Sequence, residues 1–187
     1  MPLSDYAEEA FAHDGAERRV FRRGTGPAVV VIAEMPGITP AVVAFADRVV
    51  ELGCTAVLPH LFGTPGGDVS AANALRSLVP ACVSREFTTW ATGRTSPVVD
   101  WLRALGRREH ERCGPPGIGV VGMCFTGGFA VAMAVDDHVL APVSSQPGLP
   151  VAATRAQKRD VGVSPGDLAT VAARGADASV LGLRFTA

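Results

Sequence analysis

The sequence predicts an α/β fold, a mostly parallel sheet with helices on both faces. Three observations carry this. Short apolar runs rich in β-branched residues recur at Ala28–Ala33, Cys54–Leu58 and Ile118–Val121. They are too short for helices and lack polar alternation, so they read as strands buried on both sides. Segments with helical periodicity lie between them. Three of these open at a hydroxyl residue before a proline, Thr39-Pro40, Ser96-Pro97 and Ser164-Pro165; the first and the last read as a capping hydroxyl followed by a proline at the first helical position. Strands alternating with helices imply parallel pairing with crossovers.

In chain order, residues 1–26 are polar, with Glu17–Arg23 an edge strand and Gly24–Pro27 a turn. The Ala28–Ala33 strand delivers Glu34 at its C-terminal end, followed by Met35-Pro36-Gly37. Carboxylates are rarely buried without a reason, and the C-terminal ends of parallel strands are where open α/β sheets bind ligands. Position alone leaves open whether Glu34 serves a site or is a solvated turn acid.

The next helix runs to about Leu52, with Val43, Ala46, Val49 and Val50 on one face and Gly53 ending it. Cys54–Leu58 is a strand, and residues 59–67 are a loop at the same sheet end. His60 lies there, and a loop-packing role outweighs a catalytic one. Residues 68–93 read as irregular or weakly helical. Arg85 stands there before Phe87 and Trp90. An arginine near a cleft can bind a carboxylate bidentately, although a surface ion pair is the commoner fate.

The Ser96-Pro97 helix carries Val98, Trp101, Leu102 and Leu105 at helical spacing, and its charged tail, Arg103–Arg112, is a solvated face. Beyond the Ile118 strand come a helix over Phe129–Val135, a strand over Val139–Ser144, a helix from Ser164-Pro165 to about Arg174, and a last strand over Ser179–Phe185.

Bulk properties narrow the function classes. The 187 residues fit a single domain, 1–187. A net charge of −1 gives no reason to expect a nucleic-acid or membrane partner. The four cysteines form no C-x-x-C pair, so a zinc knuckle is not expected. The polar opening carries no leader pattern, and no apolar run reaches membrane length. The expectation is a cytoplasmic protein with reduced thiols, binding no metal and no cofactor.

The richest stretch is Gly117–Ala134. Its strand gives way to a small, apolar helix, and between them sits Cys124, flanked by Gly122 and by Gly127-Gly128. A sharp strand-to-helix turn strains the turn residue and lifts its side chain out of the sheet. It also sets amide N–H groups and the helix dipole beside the sulfur, which favours thiolate. A buried cysteine is more often just a small hydrophobe. The strand–Gly-x-Cys–Gly-Gly–helix setting favours a nucleophile elbow. The usual elbow has glycine two residues after the nucleophile, where this chain has Thr126.

With these segments in hand, the chain resembles the dienelactone hydrolase family of the α/β-hydrolase superfamily. The matching stretches are Val30–Ile38, Gly53–Gly63 and Gly119–Gly128, within a resemblance over about residues 20–185. It implies an α/β-hydrolase-like fold, shortened at the C-terminus, and a hydrolase acting on a small ester or lactone. Cys124 matches the nucleophile and Glu34 the strand-end glutamate that acts with it. The backbone N–H groups of Phe125 and Met35 match the oxyanion hole, and Arg85 loosely matches a carboxylate-binding arginine. His60 stands where most members have aspartate.

The family's acid and histidine follow later strands, and this sequence offers no residue at those positions. The resemblance therefore implies weak or absent turnover. It also implies a sheet edge that limits stability unless another chain, such as a second copy, covers it. Two other readings stand beside this one. A glutamate after the first core strand with a cysteine elbow also resembles the DJ-1/PfpI group, with redox or glyoxalase-type chemistry. A non-catalytic scaffold binding a carboxylated ligand or a partner chain is the third.

Overall fold

The computed structural model describes residues 2–67, 96–146 and 163–174. Six strands form one sheet: β1 (Ala7–His13), β2 (Ala16–Arg23), β3 (Ala28–Ile32), β4 (Thr55–Pro59), β5 (Ile118–Met123) and β6 (Val139–Ser145). Their spatial order is β1-β2-β4-β3-β5-β6. The β1–β2 hairpin is antiparallel and joins β4 antiparallel, while β4, β3, β5 and β6 run parallel. Among the described residues four α-helices accompany the sheet: α1 (Pro40–Glu51), α2 (Pro97–Cys113), α3 (Gly127–Met133) and α4 (Pro165–Ala173).

The N-terminal reading needs correction. Glu17–Arg23 lies within β2, which is not an edge strand, because β1 covers its outer side. The β1 stretch AEEAFAH has no fully buried residue. An outer strand with one exposed face and one only half-buried, where Phe11 packs against Trp101, leaves no apolar run to read. The last expected strand, 179–185, lies outside the described residues, as do 68–93 with Arg85. Among the described strands β6 is outermost, with Leu140 and Val143 nearly half exposed.

The sheet separates two cores, as its alternating side chains require. Val30, Ile32, Val57, Ile118 and Val120 face Trp101, Leu102, Leu105, Phe129 and Met133 of α2 and α3. Val31, Ala33, Ala56 and Leu58 face Val42, Val43, Ala46 and Val49 of α1. Each large side chain fully removed from water contributes roughly 1.5–3 kcal/mol, so these layers fix the strand register. Thr39 caps α1 by accepting from the Val42 N–H at 3.4 Å, and Ser164 caps α4 by accepting from Asp167 at 3.1 Å. Both cap-plus-proline starts stand as read.

Two polar clusters fasten the helices. Glu109 of α2 is fully buried and accepts hydrogen bonds from Arg22 at 3.0 Å, Arg108 at 2.8 Å and Arg112 at 3.4 Å. Trp101 donates its indole N–H to the Ala16 carbonyl at 3.1 Å, which fixes α2 against the hairpin. Arg174, just past α4, donates to the carbonyls of Ala134, Asp136, Asp137 and Val139. A helix leaves its last carbonyls without partners, and this guanidinium supplies donors where α3 ends.

Candidate active site

Cys124 follows β5 directly and opens a single 3₁₀ turn, Cys124–Thr126, that leads into α3. Its φ is +52°, a left-handed conformation uncommon outside glycine. Strain of this kind persists where the surroundings over-determine it. Gly122 is one of those surroundings, because a Cβ there would run into the Thr126 carbonyl.

Thr126 explains the departure from the usual elbow. It is fully buried with φ −83° and ψ −1°, so the position makes no demand for glycine. Its hydroxyl accepts from the Met123 N–H at 2.9 Å and lies 3.0 Å from the Ile32 carbonyl as donor. One side chain thus ties the turn after β5 to the end of β3. The signal was visible in the sequence as a threonine in place of glycine, although its hydroxyl partner lies 94 residues away.

Strand register brings the candidate residues to one level. Ile32 pairs with Gly122, and Gly122 pairs with Ser144. Two residues further along each chain segment stand Glu34, Cys124 and Gln146, at the C-terminal ends of three adjacent strands. Cys124 is partly buried against the α2–α3 core, as is Met35. Glu34 is also partly exposed, and it accepts a hydrogen bond from the Gln146 side chain at 3.5 Å. Sequence reasoning missed Gln146. Its residue type carries no catalytic signal, and its φ of +41° is a property of the fold alone.

The loop after β3 is locked to the loop after β4. The Gly37 N–H donates to the Glu34 carbonyl at 2.8 Å, closing a turn around Met35-Pro36. Gly37 has φ +127°, and a Cβ there would strike the Phe62 carbonyl. Gly66 donates to Ile38 at 2.7 Å. The Met35 amide therefore sits in a braced turn, and the Phe125 amide lies in the first turn after the nucleophile.

His60 has the loop-packing role expected of it. Its Nε2 is 2.9 Å from the Gly63 carbonyl, and burial holds its pKa below the ordinary histidine value. His110 and His138 stack on each other with ring centroids 5.3 Å apart. They meet where α2 ends and β6 begins, at the end of the sheet away from Cys124. Among the described residues no cluster of histidine, cysteine, aspartate and glutamate is suited to hold a metal ion. No described helix is long and apolar enough to cross a membrane.

An α/β-hydrolase fold with a residue strained at the elbow after its fifth strand is the class these features define. A sequence model of the dienelactone hydrolase family matches residues 19–164, and the chain belongs to that family of hydrolases. Among solved structures it is similar to a Klebsiella pneumoniae subsp. pneumoniae MGH 78578 protein assigned as a dienelactone hydrolase. That likeness has a TM-score of 0.56 at 13% identity, covering 92% of this chain and 80% of the other. The protein named m3DLH matches at TM-score 0.53 and 19% identity, over 89% of this chain and 64% of its own. The thioesterase domain from the curacin biosynthetic pathway matches at TM-score 0.51 and 14% identity, over 90% and 51%. The chain thus spans about half to four-fifths of these neighbours' lengths. At these identities the likenesses establish the fold. No curated protein matches the chain in sequence.

Proposed function

We propose that the chain is a thiol hydrolase of small esters or lactones, with Cys124 as nucleophile. The observation that carries this reading is the left-handed Cys124 at the turn between β5 and α3, level in register with Glu34. In the reaction, the Cys124 sulfur bonds to the substrate carbonyl carbon and the carbonyl electrons move onto oxygen. The amides of Phe125 and Met35 receive that oxyanion, an interaction typically worth about 3 kcal/mol per donor. Collapse expels the alkoxide, which takes up the proton given up by the thiol, and leaves a thioester. Water then attacks the thioester, releasing the acid and restoring the thiol. Glu34 acts beside the sulfur as a charged partner. Arg85 is the proposed contact for a substrate carboxylate. The protein is proposed to work in the cytoplasm, without a cofactor, and to pair with a second copy along the β6 side.

Hydrolysis of p-nitrophenyl acetate and of a simple δ-lactone by the chain and by its Cys124→Ala variant tests the reading. Weak turnover that disappears in the variant is expected, together with preferential labelling of Cys124 over Cys54 by a brief iodoacetamide pulse. Equal labelling of the two thiols, or turnover unchanged in Cys124→Ala, overturns it. A stable sulfinate on Cys124 under mild peroxide, without ester turnover, would favour the redox reading instead.

A further inference from the structure

We propose that Gln146 is a positioning residue that governs the reactivity of Cys124 by holding Glu34. This rests on the reading of Cys124 as nucleophile with Glu34 as its partner. Gln146 directly follows β6 at the register level of Cys124 and Glu34, with Cys124 just past the end of the strand between them. The Gln146–Glu34 hydrogen bond, 3.5 Å from Nε2 to Oε2, therefore spans the end of β5 from one neighbouring strand to the other. Gln146 and Cys124 both have positive φ, at +41° and +52°. The third described non-glycine with positive φ, Asp14, lies in the β1–β2 hairpin turn, where such values are ordinary. Left-handed glutamine at a strand end is unusual.

The chemistry follows from the donor. A carboxamide N–H directed at one carboxylate oxygen fixes the rotamer of the carboxylate and satisfies part of its hydrogen-bonding capacity. The other oxygen remains available to the thiol. Without the amide, the Glu34 charge is free to change its distance from the sulfur, and at contact range such a change alters the local potential severalfold in rate terms.

The test measures second-order alkylation of Cys124 by neutral iodoacetamide and by anionic iodoacetate in the full chain. The chains compared are wild type, Gln146→Ala and Gln146→Gly, each with and without Glu34→Gln. The ratio of the two rates reports the charge beside the sulfur, which a merely structural role would leave unmoved. Both Gln146 variants are expected to change the iodoacetamide-to-iodoacetate ratio by about threefold or more, and neither is expected to change it in the Glu34→Gln background. Glycine adopts a positive φ at no cost. A Gln146→Gly chain with the wild-type ratio would therefore make the residue a backbone feature only and overturn the proposal. An undiminished effect in the Glu34→Gln background would overturn it as well. If wild-type Cys124 is no more reactive than Cys54, the nucleophile reading fails separately. The pairing is then judged by urea midpoints in the same cycle, where non-additive shifts support it and additive ones overturn it.

Discussion

At Gly122 the turn after β5 folds back on its own strand and leaves no space for a methyl group, since the obstacle is the Thr126 carbonyl rather than a movable side chain. Backbone cannot step aside as a rotamer can. Gly122→Ala is expected to destabilise the protein by about 3 kcal/mol, the upper end for overpacking, and to slow Cys124 labelling because the elbow must shift. Urea unfolding and timed alkylation on the same variant check both effects. The elbow was legible in the sequence because its glycines flank a cysteine between a strand run and a helix run. Gln146 was not legible, because what distinguishes it is a backbone angle and a partner 112 residues distant.

At the level of elements, α2 is held to the hairpin by the Glu109 cluster as well as by its apolar face. Glu109 is completely buried, while Arg22, Arg108 and Arg112 keep between a fifth and two-fifths of their side chains in water. Glu109→Gln keeps the shape but removes the charge that the three guanidiniums face. The expected loss is roughly 1–3 kcal/mol, read as a lowered urea midpoint with an unchanged slope. The parallel strands and the cap-plus-proline helix starts were legible, since burial on both faces writes a continuous apolar run. The hairpin was only half legible. Its inner strand carries Val20 and Phe21 toward the cores, whereas β1 has one exposed face and one half-buried face with a single aromatic, Phe11, and reads as polar chain. The positively charged tail of α2 read as a solvated face, and the structure finds Glu109 at its centre buried. Sequence spacing could not reveal that Arg22, on a strand 87 residues earlier, comes to meet it.

For the whole molecule, His60 and His138, both held below the ordinary histidine value by burial, contribute to the response to acid. Burial lowers the His138 pKa below its ordinary value; Asp136 pulls it back up, and His110 and Arg107 push it down again. The Nδ1 of His110 and the Nε2 of His138 are buried without hydrogen-bond partners among the described residues. A histidine with a lowered folded pKa binds fewer protons than its unfolded counterpart as pH falls below about 6.5, so stability is lost on acidification through that range. Asp136 adds a second loss at lower pH. Burial alone would raise its pKa, but hydrogen bonding to Arg103 and the charges of Arg103 and Arg107 outweigh burial and hold it below the usual aspartate value. Its contribution is therefore present above the ordinary carboxylate range and disappears as the group is protonated. The urea midpoint is expected to fall between pH 7.5 and 5.5, and His138→Phe is expected to flatten that fall. An equal slope in the variant would rule out the histidine pair as its cause.

The parallel register also decides which changes of length the gene can accept. Glu34, Cys124 and Gln146 stand at one level because β3, β5 and β6 are aligned residue by residue, and side chains on a strand alternate between faces. One codon inserted within β5 exchanges its two faces and directs the nucleophile toward the α1 layer, whatever residue is added. Length added in the connections is absorbed at a cost that grows only with the logarithm of loop size. Substitutions can therefore tune this site one residue at a time, whereas insertions and deletions are confined to the connections between strands and helices.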